Sequence, residues 1–225
     1  MYGNLAPYDV FNASLLTGAD YEGPLELPVI MPSRLIPESL TPFTRARAQK
    51  TGLENSCIHF FEHDVKFRCV WRNPMRYLPL FRRCRAVIGP DFSMYRNMPA
   101  GMQQWSCFKS RTISYWLQHE GVEVIPNVRV SDERSLDWVF DGLPRNSVIA
   151  MSTVGCCKHR DDRRYIRLAV EKTVDVLRPS TIIVYGAAPD GLFIAAHKAG
   201  VPIKHFDSQF ALSHKRGQEV RNGDR

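Results

Sequence analysis

Residues 86–153 constrain the fold more than any other part of the chain, because three short apolar runs alternate there with two amphipathic segments. The runs begin at Ala86, Val122 and Ser147, and each is followed by polar residues. This alternation is typical of repeated βα units around a parallel sheet. Ligands of such sheets bind at the carboxyl ends of the strands. The sequence therefore predicts where a site lies without saying what the site does.

The same pattern continues on both sides of this stretch. Further strands are predicted at residues 57–61, 181–185 and 202–206. The clearest helix is predicted at 100–118, with Trp105 among its core residues by helical spacing. A second long helix is predicted from Asp161 or Asp162 to the residues before Pro179, and a shorter helix is predicted after Ser131 as its cap. About six βα units result. A partial or distorted βα barrel and an open doubly wound sheet both accommodate them. We favour the barrel, because the strands are all short and polar residues end every unit.

The chain divides into three parts. Residues 1–56 form a proline-rich, irregular N-terminal arm, which either packs across the domain or is a mobile terminus. Within it, residues 27–31 are predicted as an edge strand, and Thr41 is predicted to cap a helix with Pro42 at its first position. Residues 57–213 form a single α/β domain, and residues 214–225 a polar tail.

Composition excludes several classes of protein. Hydrophobic residues make up 44% of the 225 residues and charged residues 24%, as in globular domains. No apolar run approaches the roughly 20 residues that span a bilayer, and no secretory signal is recognised. We therefore expect a cytoplasmic protein without a membrane partner. The six cysteines include no CxxC pair, and we expect reduced, mostly structural thiols.

Several segments are more specific than the strand and helix pattern. They are His-Phe-Phe at 59–61, Gly-Pro-Asp-Phe-Ser-Met-Tyr at 89–95, Val-Ile-Pro at 124–126 and Ser-Thr-Val-Gly at 152–155. With them, the chain resembles an uncharacterised family of phage, plasmid and other mobile-element proteins, known only as a domain of unknown function. It departs from that family at Arg129 and Val130, where the family carries a tryptophan. The resemblance implies a mobile-element setting, no known activity and no catalytic residues.

Polar residues at the predicted strand ends are the candidate catalytic groups. Asp64, Asp91, Asn127 and Ser152 would converge at one rim, and Asp91 is the strongest candidate. Arg129 would hold an anion there. The alternative is that these residues cap helices and close turns.

A divalent metal is a possible cofactor at the same rim, because carboxylates and a histidine follow the strands. The candidate metal ligands are His63, Asp64 and Asp207. The sequence does not fix the cofactor.

A basic run follows the first strand of the domain. Between residues 65 and 85 there are seven Lys or Arg and no Asp or Glu, interleaved with aromatic residues. In sites for single-stranded nucleic acid, arginines typically contact the phosphates and aromatic rings stack against the bases. The candidate contacts are Lys66, Arg68, Arg72 and Arg76. The alternative is a helix with its aromatic residues in the core and its arginines in water.

Two hypotheses follow from these patterns. In the first, a mobile-element protein binds nucleic acid or another phosphate-bearing partner through the basic, aromatic-rich surface, in keeping with a net charge of +7. In the second, a hydrolase or transferase acts on such a substrate at the strand-end rim. The sequence leaves open whether the protein is an enzyme.

Overall fold

The computed structural model describes residues 9–157 and 159–214, and it shows an α/β fold built on parallel sheets. The predicted tail lies outside the described residues, except for His214. The strands are β1 (Tyr21–Glu22), β2 (Leu27–Pro28), β3 (Ser39–Pro42), β4 (Ser56–His59), β5 (Ala86–Ile88), β6 (Val124–Ile125), β7 (Val148–Ser152), β8 (Thr181–Tyr185) and β9 (Ile203–Phe206).

The parallel strands form one sheet in the order β3-β4-β5-β6 and another in the order β7-β8-β9. A parallel bridge between Asn127 and Ala150 connects the segment after β6 to β7. The predicted parallel α/β fold is confirmed. A single sheet of six βα units and a closed barrel are not seen in the described residues. Both sheets follow chain order, without the reversal that characterises doubly wound sheets.

Both faces of the parallel strands from β4 to β8 are buried, and the alternation of side chains explains how. On β5, Val87 packs with helix residues such as Phe67 and Trp116, whereas Ala86 and Ile88 point the other way. That second set joins Ile125 of β6 and inward residues of β7 and β8 in a core cluster of its own. Residues from both sheets therefore share one interior.

The helices cover the outer faces of the sheets. The helices over the four-stranded sheet are short, except for the helix Ala100–His119, which supplies ten buried residues. The helices are α1 (Phe43–Ala46), α2 (Asp64–Arg72), α3 (Leu78–Phe81), α4 (Ala100–His119), α5 (Arg160–Leu177) and α6 (Ile194–Lys198). Short 3₁₀ turns lie at Ala13–Leu16, Pro74–Tyr77, Glu133–Ser135 and Asp190–Leu192. Residues 209–214 are also helical.

The N-terminal arm differs from its prediction. Thr41 does not cap a helix, because it lies within β3 and its Oγ1 is 2.7 Å from Ser56 Oγ on β4. Pro42 ends that strand, and α1 begins one residue later. The predicted edge strand is shorter than expected: β2 pairs in antiparallel fashion with β1.

The helix expected after residue 131 is reduced to a single 3₁₀ turn. Asp132 caps this turn, and its carboxylate accepts from Arg134 N at 3.0 Å. The buried Arg111 of α4 then donates to the carbonyl oxygens of Val139 at 2.7 Å and Asp141 at 3.4 Å. Residues 136–142 continue as turns, and Arg111 holds these turns against α4.

Two further features bear on the expected setting of the protein. Across residues 9–157 and 159–214, we find no helix both long enough and apolar enough to span a membrane. All six cysteines are free thiols, and Cys57 and Cys107 are buried.

Candidate functional site

The end of β5 brings the first candidate residue into place. Gly89 follows the strand where the backbone approaches α4 closely: a Cβ at this position would lie 2.6 Å from Ser114 Oγ. Pro90 comes next, and its carbonyl accepts from the Ser110 hydroxyl of α4. These contacts fix the turn that presents Asp91, which is only 7% exposed.

Asp91 joins two residues that follow β6. Its Oδ1 accepts from Asn127 Nδ2 at 3.0 Å, and its Oδ2 accepts from Arg129 Nη1 at 2.9 Å. The Asn127 carbonyl accepts from Arg111 at 3.4 Å. Asn127 also forms the bridge to Ala150, so these residues lie where the two sheets meet. Three of the predicted site residues therefore form one hydrogen-bonded cluster.

Burial and charge act in opposite directions on this cluster. Burial raises the pKa of the Asp91 carboxyl, and Arg129 and Asn127 oppose that rise. The Asp91 charge raises the pKa of Arg129, against the effect of burial. The ion pair has the larger effect on the pKa of Arg129, whereas burial has the larger effect on the pKa of Asp91. Arg129 is therefore charged, and it faces a carboxylate across a short contact.

Asp64 lies beside this cluster and engages a different residue. It is the first residue of α2, and its carboxylate accepts from Ser93 N at 3.1 Å and from Ser93 Oγ at 2.7 Å. The Ser93 hydroxyl is 3.1 Å from the Tyr95 hydroxyl. Asp64 acts electrostatically on both Asp91 and Arg129. It connects the ends of β4 and β5 and adds negative charge at this end of the sheet.

The remaining catalytic candidate makes the contacts of a turn. Ser152 Oγ donates to the Tyr185 carbonyl at 3.3 Å and accepts from Val154 N at 3.2 Å. These hydrogen bonds close the segment after β7, as the turn-capping alternative requires. Ser152 and Arg129 also line a common cavity beside the Asp91 cluster.

The three candidate metal ligands make separate contacts. His63 is exposed and precedes α2, and Asp64 is held by Ser93. Asp207 lies 3.8 Å from His205 Nε2. In the part of the chain that the structure describes, no three His, Cys, Asp or Glu side chains lie close enough together to hold a metal ion.

A cavity of about 420 Å³ opens beside the Asp91 cluster. Its walls come from the segments after β5, β6 and β7 and from the first turns of α5. Arg129, Ser131 and Ser152 line it, together with Arg96 and Tyr165. The predicted rim at the carboxyl ends of the strands thus has an opening next to it.

The predicted basic run lies elsewhere, on the outside of the four-stranded sheet. Arg68, Arg72 and Arg76 are exposed, and Lys66 is 3.6 Å from Glu62. Most of the interleaved aromatic residues are core residues: Phe67 and Phe81 are fully buried, and Tyr77 is 8% exposed. A stacking role for those three is therefore excluded by their packing. Trp71 is half-buried and remains available at one edge.

Sequence reasoning missed two features of α4. Arg111 is 2% exposed and holds three backbone carbonyls together, although nothing in its sequence neighbourhood distinguishes it from a surface arginine. Trp105 is predicted as core from its helical spacing but is 37% exposed. Its ring contacts Phe11 and Trp71, with centroids 5.9 and 5.4 Å away. Neither contact follows from helical periodicity, since both partners lie on other elements.

The family described as "Domain of unknown function (DUF4417)" matches residues 19–200, which is well over half of the chain. The chain belongs to this family. The match confirms the resemblance inferred from the sequence motifs, and it extends from before β1 to the end of α6. Strand β9 lies beyond the DUF4417 match.

Two phage proteins are similar to this chain. The Gene 1 protein of Mycobacterium phage L5 is 31% identical over 162 residues, which cover 72% of this chain and 71% of that protein. The Gene 1 protein of Mycobacterium phage D29 is 29% identical over 162 residues, which cover 72% of this chain and 60% of that protein. No solved structure matches the chain significantly. This DUF4417 protein is thus of a phage type.

Proposed function

We propose that this phage-type protein binds single-stranded nucleic acid through one cationic surface, formed by the exposed Lys and Arg side chains of residues 43–85. This segment contains ten Lys or Arg and three Asp or Glu, an excess of seven positive charges. The net charge of the whole chain is also +7, so the rest of the chain is balanced. An excess confined to one segment attracts a polyanion far better than the same excess spread over the molecule.

The arrangement of these side chains supports a continuous surface. Arg47, which directly follows α1, and Arg76 lie over the same Tyr77 ring, 5.7 and 6.0 Å from its centroid. Arg68 and Arg72 are one turn apart on α2 and therefore share a face of that helix. These four arginines have no acidic partner among the described residues. Their charges are available to phosphates.

Exposed aromatic side chains beside this surface support a single-stranded ligand. Trp71 is three positions from Arg68 and adjacent to Arg72, so it lies next to their charges on α2. It contacts Trp105, which in turn contacts Phe11, a ring that is 64% exposed. Unpaired bases stack on such rings, with about 1–3 kcal/mol per base, whereas duplex bases are not accessible to them.

The test measures the affinity of the protein for a labelled single strand of about 30 nucleotides at a series of salt concentrations. We expect the triple variant R68A/R72A/R76A to bind at least tenfold more weakly at about 50 mM salt, and its salt slope to fall by roughly 2, because about 0.7 counterions are released per phosphate. The matched control is R160A/R163A/R167A, which removes three exposed arginines from α5. It is expected to change the affinity less than about threefold.

Three outcomes would contradict the proposal: no binding, an affinity that does not depend on salt, or equal losses of affinity in both triple variants.

A further variant tests the preference for single-stranded over duplex nucleic acid. Trp105→Ala should weaken single-strand binding roughly tenfold and leave duplex binding unchanged, because only stacking is lost, while Trp105→Phe should retain most of the affinity. Equal effects on both ligands would show that stacking does not contribute.

A second candidate function is supported by the Asp91 cluster and the cavity beside it. In this hypothesis the protein is a hydrolase or transferase acting on a nucleic-acid or phosphate-bearing substrate. Asp91 and Asp64 would serve in acid-base chemistry or hold a metal, and Arg129 would hold the anion. The test is turnover of such substrates with and without Mg²⁺. Loss of turnover in a folded Asp91→Asn variant, with nucleic-acid binding retained, would separate this function from the first.

We also propose that the two sheets curve around their shared interior as a partial βα barrel, with residues 57–213 as one domain and the N-terminal arm packed across it. The Asn127–Ala150 bridge and the interior cluster drawn from both sheets support this arrangement. Strand β3 of the arm pairs with β4, which supports the packed alternative for the arm. Nuclear Overhauser contacts between the Asn127 and Ala150 amides test the bridge. A cytoplasmic location, expected from the sequence, belongs to the same proposal.

A further inference from the structure

The cavity beside the Asp91 cluster is lined by both charged and apolar side chains. The charged ones are Arg129, Arg96 and Asp162, whose Oδ1 is 2.6 Å from Arg96 Nη2. Asp91 neutralises part of the Arg129 charge but is not one of the lining residues. Two arginines and a single carboxylate therefore line the cavity, so positive charges outnumber negative ones in the lining.

Arg129 has hydrogen-bonding capacity left for a ligand. A guanidinium carries five N–H donors. In the described part of the chain, the recorded acceptor of this one is Asp91, reached through Nη1. The other donors have no recorded acceptor in that part of the chain, and a planar fork of this kind matches a carboxylate or a phosphate.

Ser131 provides a second, independent observation. Its side chain lines the cavity and is only 5% exposed, yet its hydroxyl has no hydrogen-bond partner among the described residues. The backbone N–H of the same residue donates to Ser135 Oγ at 3.0 Å, which fixes the backbone of Ser131 beside the cavity. A buried hydroxyl without a partner is unfavourable, and a hydrogen bond to a ligand oxygen would relieve this cost.

Other lining residues suit an apolar group. Met94, Val128 and Met151 line the cavity and belong to a hydrophobic core cluster. Ile166 and Tyr165 of α5 close the wall, and Arg96 lies 4.9 Å from the Tyr165 ring centroid. A volume of about 420 Å³ falls in the range of small-molecule sites.

We propose that this cavity binds a small organic anion with an apolar body, whose carboxylate or phosphate is held by Arg129, Arg96 and the Ser131 hydroxyl. The apolar body packs against the side chains of Met94, Val128 and Met151. This site is independent of the cationic surface, because no residue belongs to both.

The experiment uses 8-anilinonaphthalene-1-sulfonate, a fluorescent anion with an aromatic body, as the probe on the full chain. Ile166→Trp fills the cavity and is expected to abolish saturable probe binding. Ile194→Trp, at an isoleucine that is 49% exposed on α6, is the matched control and is expected to bind as the unaltered protein does. Arg96→Gln is expected to weaken binding about tenfold, through loss of a charge-assisted contact. Circular dichroism verifies that each variant is folded.

Competition then identifies the chemistry of the ligand. Phenyl phosphate or benzoate should displace the probe, and neutral benzyl alcohol should not. Displacement by phenyl phosphate alone indicates a phosphate ligand, and displacement by benzoate alone a carboxylate. Equal displacement by benzyl alcohol, displacement by none of the three, or unchanged probe binding in Ile166→Trp would overturn the inference. Nucleic-acid binding is measured separately, so the two proposals fail independently.

Discussion

The arginine at the strand ends, Arg129, and the arginines on α2 differ in burial and in ion pairing. Arg129 is mostly buried and lies 2.9 Å from a carboxylate. Arg68 and Arg72 are exposed, and the structure records no ion pair for them within its described residues. A buried pair is needed for the fold because each charge compensates the other, whereas an unpaired surface charge adds little stability and is free to meet a ligand.

Helix α5 strengthens this comparison, because it is as rich in cations as the cationic surface. It contains five Lys or Arg but also four Asp or Glu. Two of its charged residues pair with other segments: Asp162 with Arg96 at 2.6 Å, and Arg164 with Glu133 at 3.0 Å. A basic run therefore indicates a binding surface only when acidic neighbours, in sequence and in space, are missing.

The largest effect is expected from breaking the buried pair. Arg129→Met leaves the Asp91 carboxylate buried without its partner, and we expect the free energy of unfolding to fall by about 3 kcal/mol. Urea unfolding followed by circular dichroism measures it. Arg160→Met, at an exposed arginine, serves as the control, with an expected change below about 0.5 kcal/mol. Similar small changes in both variants would show that the Asp91 pair does not hold the strand ends together.

A second prediction concerns His59, another polar residue in the interior. Its ring lies 4.3 Å from the Tyr185 ring, and its Nδ1 accepts from Phe61 N at 3.2 Å. Burial lowers the pKa of His59 to about 3. The unfolded chain takes up a proton near pH 6.5, where the folded chain does not, so the contribution of His59 is present above pH 6.5 and is lost as the pH falls toward 3.

Between pH 7 and pH 5 this difference amounts to about 2 kcal/mol of unfolding free energy. Urea titrations at the two pH values measure it. In His59→Asn, whose Oδ1 can replace the Nδ1 acceptor, the same pH change should cost about 2 kcal/mol less than in the unaltered protein. An identical pH dependence in both proteins would mean that His59 is protonated in the folded state.

The smallest effect is expected on the cationic surface. The variant R68A/R72A/R76A should change the free energy of unfolding by no more than about 0.5 kcal/mol per residue, because these side chains have no buried partner to lose. Thermal and urea unfolding measure it beside the nucleic-acid titrations. A loss of several kcal/mol would place these arginines with Arg129 as structural residues, and the distinction between the two regions would fail.

The sequence predicted the strands from β4 onward and the two long helices well, because each has a clear local period. It missed β3, where Thr41 and Pro42 were expected to begin a helix, and it predicted α2 only as the alternative interpretation of the basic run. It also overestimated the helix after Ser131, where the 3₁₀ turn Glu133–Ser135 and further turns form instead. Local periodicity does not show that these turns are held by a remote side chain such as Arg111.

The candidate site shows the same division. The position of Asp91, Asn127 and Arg129 after successive strands was sufficient to predict that they would meet, because parallel strands end on one side. The cavity wall from α5, including Tyr165, was not predictable, because it depends on how that helix packs against the segment after β5.

The sequence by itself determined the alternation of buried strands and helices, the polar residues that end them, and the concentration of positive charge in one segment. Only the tertiary structure decided which of those charges are neutralised. It pairs Arg129 with Asp91, buries most of the aromatic residues of the basic run, and leaves Arg68 and Arg72 in solvent. The physical reason is that hydrophobic period is a local property, whereas burial and ion pairing depend on neighbours that are distant along the chain.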